Sequence, residues 1–288
     1  MPTPNILTDT TPVIDEATPT LARSIITDAW GLFFAQGGVV MAAALRAMDA
    51  VLDRPDLALT SASAVFVRPV ACGPVQTEVD VLRSGRRGAQ VQGSLRDSTA
   101  PEGTASVAVN AVFTDRTMPG PHLAPLPRPV ELGEPPVEAQ DRPYDNEFPL
   151  GFLDNTEWHV ASGGGRGATA ESARADEVVP RQALWFRFTA PPAAGGTDWN
   201  PALLPIPGDA LGSALVVALG GGDQPVGSVS LQLDVQVLAP IRGTWVGIDS
   251  SCTHIGSGLA TGIAHLWSET GTHVATLTQT AMLRGLEG

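Results

Sequence analysis

Hydrophobic and polar positions along the chain follow two regimes. Residues Asp28 to Leu52 read DAWGLFFAQGGVVMAAALRAMDAVL, the longest apolar segment in the sequence. Its right-hand part is rich in Ala, Leu and Met, which are strong helix formers. Apolar side chains point almost all round a 3.6-residue turn, which predicts a buried helix beginning near Trp30 rather than an amphipathic surface helix. Gln36, Arg46 and Asp49 interrupt the run. A membrane span needs about 20 mostly apolar residues, so no span is expected here.

The second regime is alternation with a period near two and many β-branched residues, the pattern of half-buried strands. It covers Ser61 to Val70, Val75 to Gly85, Gly88 to Asp97 and Thr104 to Phe113. Short loops join the last three, so an antiparallel sheet is expected. One helix followed by such a sheet is an α+β arrangement in which the sheet curls over the helix. Residues 1–19 are polar and read as a loose tail or edge extension. Residues 117–146 are proline-rich without periodicity and read as a semi-rigid linker.

The same order then recurs. Thr156 to Val160 and Ala183 to Ala190 read as strands, Trp199 to Leu219 as a helix closed by GGGD, and four further strands follow. These are Ser228 to Pro240, Gly243 to Gly256, Gly258 to Glu269 and His273 to Arg284. Pro69 and Pro240, Gly88 and Gly256, and Phe113 and Met282 all lie about 170 residues apart, and Trp30 and Trp199 each precede a helix, which points to an internal duplication.

Composition narrows the function classes. All 17 basic residues are arginine and the formal net charge is −13. A lysine-free acidic chain is a poor nucleic-acid binder, because counterion release needs a clustered basic face. Cys72 and Cys252 do not make a disulfide framework, and the N-terminus shows no secretory pattern, so a cytoplasmic setting is expected. His122, His159, His254, His265 and His273 include no HExxH and no zinc spacing with cysteine. No metal or cofactor is expected. Gly163 to Gly167 (GGGRG) does not precede a Lys-Ser/Thr pair and is not a phosphate loop.

The order and spacing of several motifs resemble the TesB-like acyl-CoA thioesterases. In the first half these are W-G-x(6)-GG before the alanine-rich helix, then SASAVFVRP, CGPV and VLRSGRR. In the second they are ALWFR, GDA near the helix start, SVSLQLDVQVLAP and TLTQTAMLR. The resemblance implies a double hotdog, with two antiparallel sheets each wrapped around a central helix. Residues 20–116 form the first hotdog and 147–288 the second, which carries the catalytic residues. It implies an acyl-CoA substrate and pairing into homo-oligomers. The family's Asp, Ser/Thr and Gln fall on Asp209, Ser230 and Gln279.

That trio suits thioester hydrolysis. A carboxylate can take a proton from water, while a hydroxyl and a carboxamide orient that water. A helix N-terminus can stabilise the oxyanion, and Gly37 and Gly38 would let a substrate carbonyl approach the backbone. Each residue also has a plain structural reading: Asp209 as an N-cap, Ser230 as a strand residue, Gln279 on either strand face, and the glycines as a packing device. Arg83, Arg86 and Arg87 could meet coenzyme A phosphates but read better as a solvated hairpin turn. The first half lacks the trio: Gly38 or Val39 stands at the place of Asp209, Leu59 or Thr60 at that of Ser230, and Asn110 at that of Gln279. Asp198 to Pro201 (DWNP) resembles a hydratase signature, but Leu203 replaces its histidine. The leading expectation is an acyl-CoA thioesterase; the alternative is a double hotdog that binds acyl thioesters without turnover or serves a specialised biosynthetic step.

Overall fold

The computed structural model describes residues 3–121, 123, 125–137, 150–162, 180–192, 198–219 and 226–285. The GGGRG and GGGD segments, His122 and most of the second part of the proline-rich segment lie outside these. Alternation along the chain yields β3 (Ala58–Phe66), β4 (Gly73–Gly85), β5 (Gly88–Asp97) and β6 (Val107–Thr114) in the first half. The second half has β7 (Thr156–Ser162), β8 (Arg181–Phe188), β9 (Val226–Val237), β10 (Val246–Gly256), β11 (Leu259–Ser268) and β12 (His273–Gly285). All ten follow the sequence reading. Two strands were not anticipated: β1 (Val13–Ile14) and β2 (Leu21–Ile26).

The expectation of two sheets is corrected. All twelve strands form one antiparallel sheet in the order β1-β2-β4-β5-β6-β3-β9-β12-β11-β10-β8-β7. The halves fuse where β3 pairs with β9 over Ser61↔Gln236 to Val65↔Gln232. Each of these strands would otherwise be an exposed edge with unpaired N–H and C=O groups, and pairing removes that liability. Outward from this seam, the strand order of one half mirrors that of the other, which supports the duplication read from the sequence.

The central helix α2 spans Gly37–Leu52, starting later than the residues near Trp30, which form a short 3₁₀ turn at Asp28–Trp30. Gln36 is its N-cap, with Oε1 accepting the Val39 N–H at 2.8 Å. Ala42, Ala43 and Ala44 are fully buried, and α2 packs on β2, β4, β5 and β6. The inward positions of β5 (Ala89, Val91, Leu95) are likewise buried, as period-two alternation requires.

The N-terminal residues are partly built into the fold. A short helix α1 (Ile6–Asp9) buries Ile6, and β1 pairs with β2 at the sheet edge. The proline-rich segment is also anchored. Leu132 sits among Trp185, Trp245 and Trp267, and its carbonyl accepts the Trp185 Nε1–H at 2.8 Å. A short helix α3 (Gly151–Asp154) then leads into β7.

The second helical stretch is broken rather than continuous. A 3₁₀ turn at Pro201–Leu203 is followed by α4 (Pro205–Gly208), then Asp209 and Ala210 as the caps between the helices, then α5 (Leu211–Ala218). The break falls at Asp209, whose ψ of 56° leaves the helical region. Among the described residues, Pro201–Ala218 is the one run long and apolar enough to cross a membrane by composition, and 61% of it is buried within the protein.

α4 lies against the N-terminal end of α2. A Cβ at Gly38 would sit 2.3 Å from the Pro205 carbonyl oxygen. Replacing Gly38 by alanine should therefore force the two helices apart and cost about 1–3 kcal/mol. Urea denaturation checks this: the midpoint should fall, and an unchanged midpoint would contradict such close helix contact.

Candidate active site

Asp209 occupies the break between α4 and α5, with φ −76° and ψ 56°. The break lets the side chain meet donors from both halves of the chain. Oδ2 accepts the Gly38 N–H at 3.0 Å and the Gln36 Nε2–H at 2.9 Å. Oδ1 accepts the Ser230 hydroxyl at 3.2 Å and the Gln279 Nε2–H. Gln279 also donates to Ser230 Oγ at 2.8 Å. Asp209, Ser230 and Gln279 are thus brought together, and Gly37 and Gly38 lie beside them.

Each donor is held by its own element. Gln279 lies on β12 opposite Leu233 of β9, and its Oε1 accepts the Leu211 N–H at 3.2 Å, capping α5. Ser230 faces the same pocket from β9, next to the irregularity in register opposite Thr280 and Ala281. Gln36 is 5% exposed and Gln279 8% exposed. Because each amide oxygen is taken by a backbone N–H, each amide nitrogen is left to point at the carboxylate. An acceptor-only group is the one side chain that satisfies four such donors.

Gln36 was seen in the sequence only as a polar interruption. Its position directly before a helix-opening Gly-Gly was the available signal. The two glycines act differently. The Gly38 N–H is taken by Asp209. Gly37 lines the cavity, and among the described residues its N–H has no protein partner. A Cβ there would lie 2.8 Å from Asp209 Oδ2, so glycine is what allows the carboxylate to dock on the end of α2.

Gln36, Gly37, Asp209, Ser230 and Gln279 line a cavity of about 350 Å³. Its walls include Val40, Val70, Phe66, Phe152, Trp158 and Met282, with Phe152 and Trp158 edge to face at 6.4 Å. A larger cavity of about 720 Å³ lies along the other end of α2 and contains none of the trio. Arg83, Arg86 and Arg87 do not line either cavity. The DWNP residues have structural partners instead: Asn200 Oδ1 accepts the Ala202 N–H at 2.9 Å, and Asp198 pairs with Arg242 at 3.2 Å. Among the described residues no group of three His, Cys, Asp or Glu side chains is placed to hold a metal.

Burial pushes the Asp209 carboxyl above its ordinary pKa, opposed in part by hydrogen bonds from Gly38, Gln279 and Ser230. The positive end of α2 also favours the ionised form. The outcome suits a base, which works best with a pKa nearer the operating pH.

Residues 26–114 match the acyl-CoA thioesterase N-terminal domain family, and residues 133–283 match the acyl-CoA thioesterase C-terminal domain family. The chain belongs to the TesB-like acyl-CoA thioesterase family. Three solved structures are similar to this TesB-like chain. The acyl-CoA thioesterase II TesB2 of Mycobacterium marinum shares 18% identity with a TM-score of 0.71, over 98% of this chain and 99% of that one. A hotdog-fold protein of unknown function from Alicyclobacillus acidocaldarius shares 17% identity with a TM-score of 0.73, over 97% and 98%. The TesB protein of Mycobacterium avium subsp. paratuberculosis shares 17% identity with a TM-score of 0.70, over 97% and 98%. At these identities the three structures establish the hotdog fold. No curated protein matches the chain.

The Asp209 pKa carries a stability consequence. Its folded-state value exceeds the unfolded one, so ionisation costs stability. That cost is absent below about pH 4, near the free aspartate value, and is complete once pH has passed the raised value. Carbon-detected NMR of the Asp209 carboxyl should give a midpoint above the free value, and Gln36→Met should raise it further by removing one donor. A midpoint at or below the free value would contradict this electrostatic balance.

Proposed function

We propose that the protein is a double hotdog that hydrolyses acyl-CoA thioesters to a free acid and coenzyme A. The observation that carries this reading is the Asp209 carboxylate, gripped by donors from both halves at the floor of an apolar-walled cavity. The mirrored strand order supports two hotdog units sharing one sheet.

In this mechanism the acyl chain lies against the aromatic and aliphatic wall, with the thioester carbonyl near the start of α2. A water displaces the Ser230 hydroxyl from Asp209 Oδ1, the longest of the four contacts at 3.2 Å, and Ser230, itself held by Gln279, keeps it there. Asp209 takes one proton as the water oxygen bonds to the carbonyl carbon. The Gly37 N–H, at the positive end of a 16-residue helix, stabilises the resulting oxyanion. Collapse breaks the C–S bond, and the departing thiolate takes the proton back from Asp209. The carboxylate is restored without a covalent enzyme intermediate.

The test is release of free thiol from a panel of acyl-CoAs. Asp209→Asn should lower kcat by about a hundredfold or more, the scale of a lost general base. The wild-type kcat/KM should fall as pH drops through the raised Asp209 pKa, because the protonated carboxyl cannot accept a proton. Unchanged turnover in Asp209→Asn would remove Asp209 from the mechanism. Tight acyl-CoA binding with no turnover at any chain length would favour the non-hydrolytic alternative.

A further inference from the structure

His265 and His273 have no zinc spacing with cysteine in the sequence. The β11–β12 hairpin nevertheless brings them together. Ala264, Leu266, Ala275 and Leu277 belong to the buried core. Alternation therefore sends His265 and Thr276, which are cross-strand partners, to the opposite face of the sheet. A shift of register after Leu266 sets His273 opposite Trp267, and the two rings stack at 4.9 Å. None of His265, His273 and Thr276 lines the Asp209 cavity.

Three polar atoms converge on this outer face. His265 Nδ1 lies 3.4 Å from His273 Nε2 and 3.1 Å from Thr276 Oγ1. The third side, Thr276 Oγ1 to His273 Nε2, is 3.2 Å. Hydrogen bonds do not account for all three sides. A ring nitrogen carries one proton or one lone pair. A chain from one imidazole through the hydroxyl to the other uses two sides and leaves the two nitrogens facing each other across the third. A metal ion would use all three. Ligand atoms about 2.0–2.1 Å from a tetrahedral ion stand about 3.3–3.4 Å apart, close to the triangle seen here. His273 is buried beside Trp267, whereas His265 and Thr276 are half-buried and leave a way in. Asp249, cross-strand from His265, is held through both oxygens by Arg181, so the fourth position is left to water.

We propose that His265, His273 and Thr276 form a binding site for a divalent transition-metal ion of the zinc class on the outer face of the second half. Imidazole nitrogens suit zinc, copper and nickel, and the hydroxyl is the weaker third ligand. The ion would clip β11 to β12, whose inner face carries Gln279. It takes no part in the proposed hydrolysis, so neither reading depends on the other.

Calorimetry of the EDTA-dialysed protein with zinc chloride tests the site. One ion per chain should bind, and zinc should raise the thermal midpoint, because the ion binds the folded state. His265→Gln and His273→Gln should each weaken binding by about tenfold or more, the scale on which metal sites lose affinity when their surroundings change, and should remove the thermal shift. Thr276→Val, close in shape to the original, should weaken binding less and guards against misfolding of the histidine variants. His254→Gln, at an exposed histidine outside the trio, should leave both readouts unchanged. No binding by the wild type would overturn the site. So would binding that survives unchanged in His265→Gln and Thr276→Val, which would mark an adventitious ion only.

Discussion

One carboxylate holds the functional architecture together. Asp209 stands at a break between two short helices and accepts hydrogen bonds from Gln36 and Gly38 on one side and Ser230 and Gln279 on the other. The first pair belongs to the N-terminal half and the second to the C-terminal half. Neither half contains this site alone. The close approach of α4 to α2, possible because Gly38 has no side chain, is what brings the pairs within reach of one group.

The same arrangement sets opposing electrostatic demands. Removing the carboxyl from water disfavours its charge, while four donors and the end of α2 favour it. The balance lies on the raised side, which costs stability at neutral pH and makes the group a better proton acceptor. The cavity extends this logic outward. Apolar and aromatic walls, Val40, Phe66, Phe152 and Trp158 among them, stand around the carboxylate and its donors.

Much of this was legible in the sequence, for definite reasons. Period-two alternation located ten strands, because each strand has one face on the core. The alanine-rich run located α2, because only a helix enclosed all round tolerates apolar residues on every face. The spacing of the halves and the family resemblance singled out Asp209, Ser230 and Gln279, which the fold brings together. Other features were hidden. The β3–β9 seam that merges two sheets is a long-range pairing with no local signal. The short β2 lacks strong alternation in context and was overshadowed by the helix after it. The break at Asp209 was masked by apolar continuity from Trp199 to Leu219. Gln36 looked like an interruption because its partner lies 173 residues away.

The central claim is that donors from the two halves act on Asp209 as a unit. A double-mutant cycle on kcat/KM for acyl-CoA, with Gln36→Met and Gln279→Met, measures this most directly. If both act through the same carboxylate, the double variant should lose little more than the worse single variant. Losses that simply multiply would show that the two glutamines work independently, and would contradict the account.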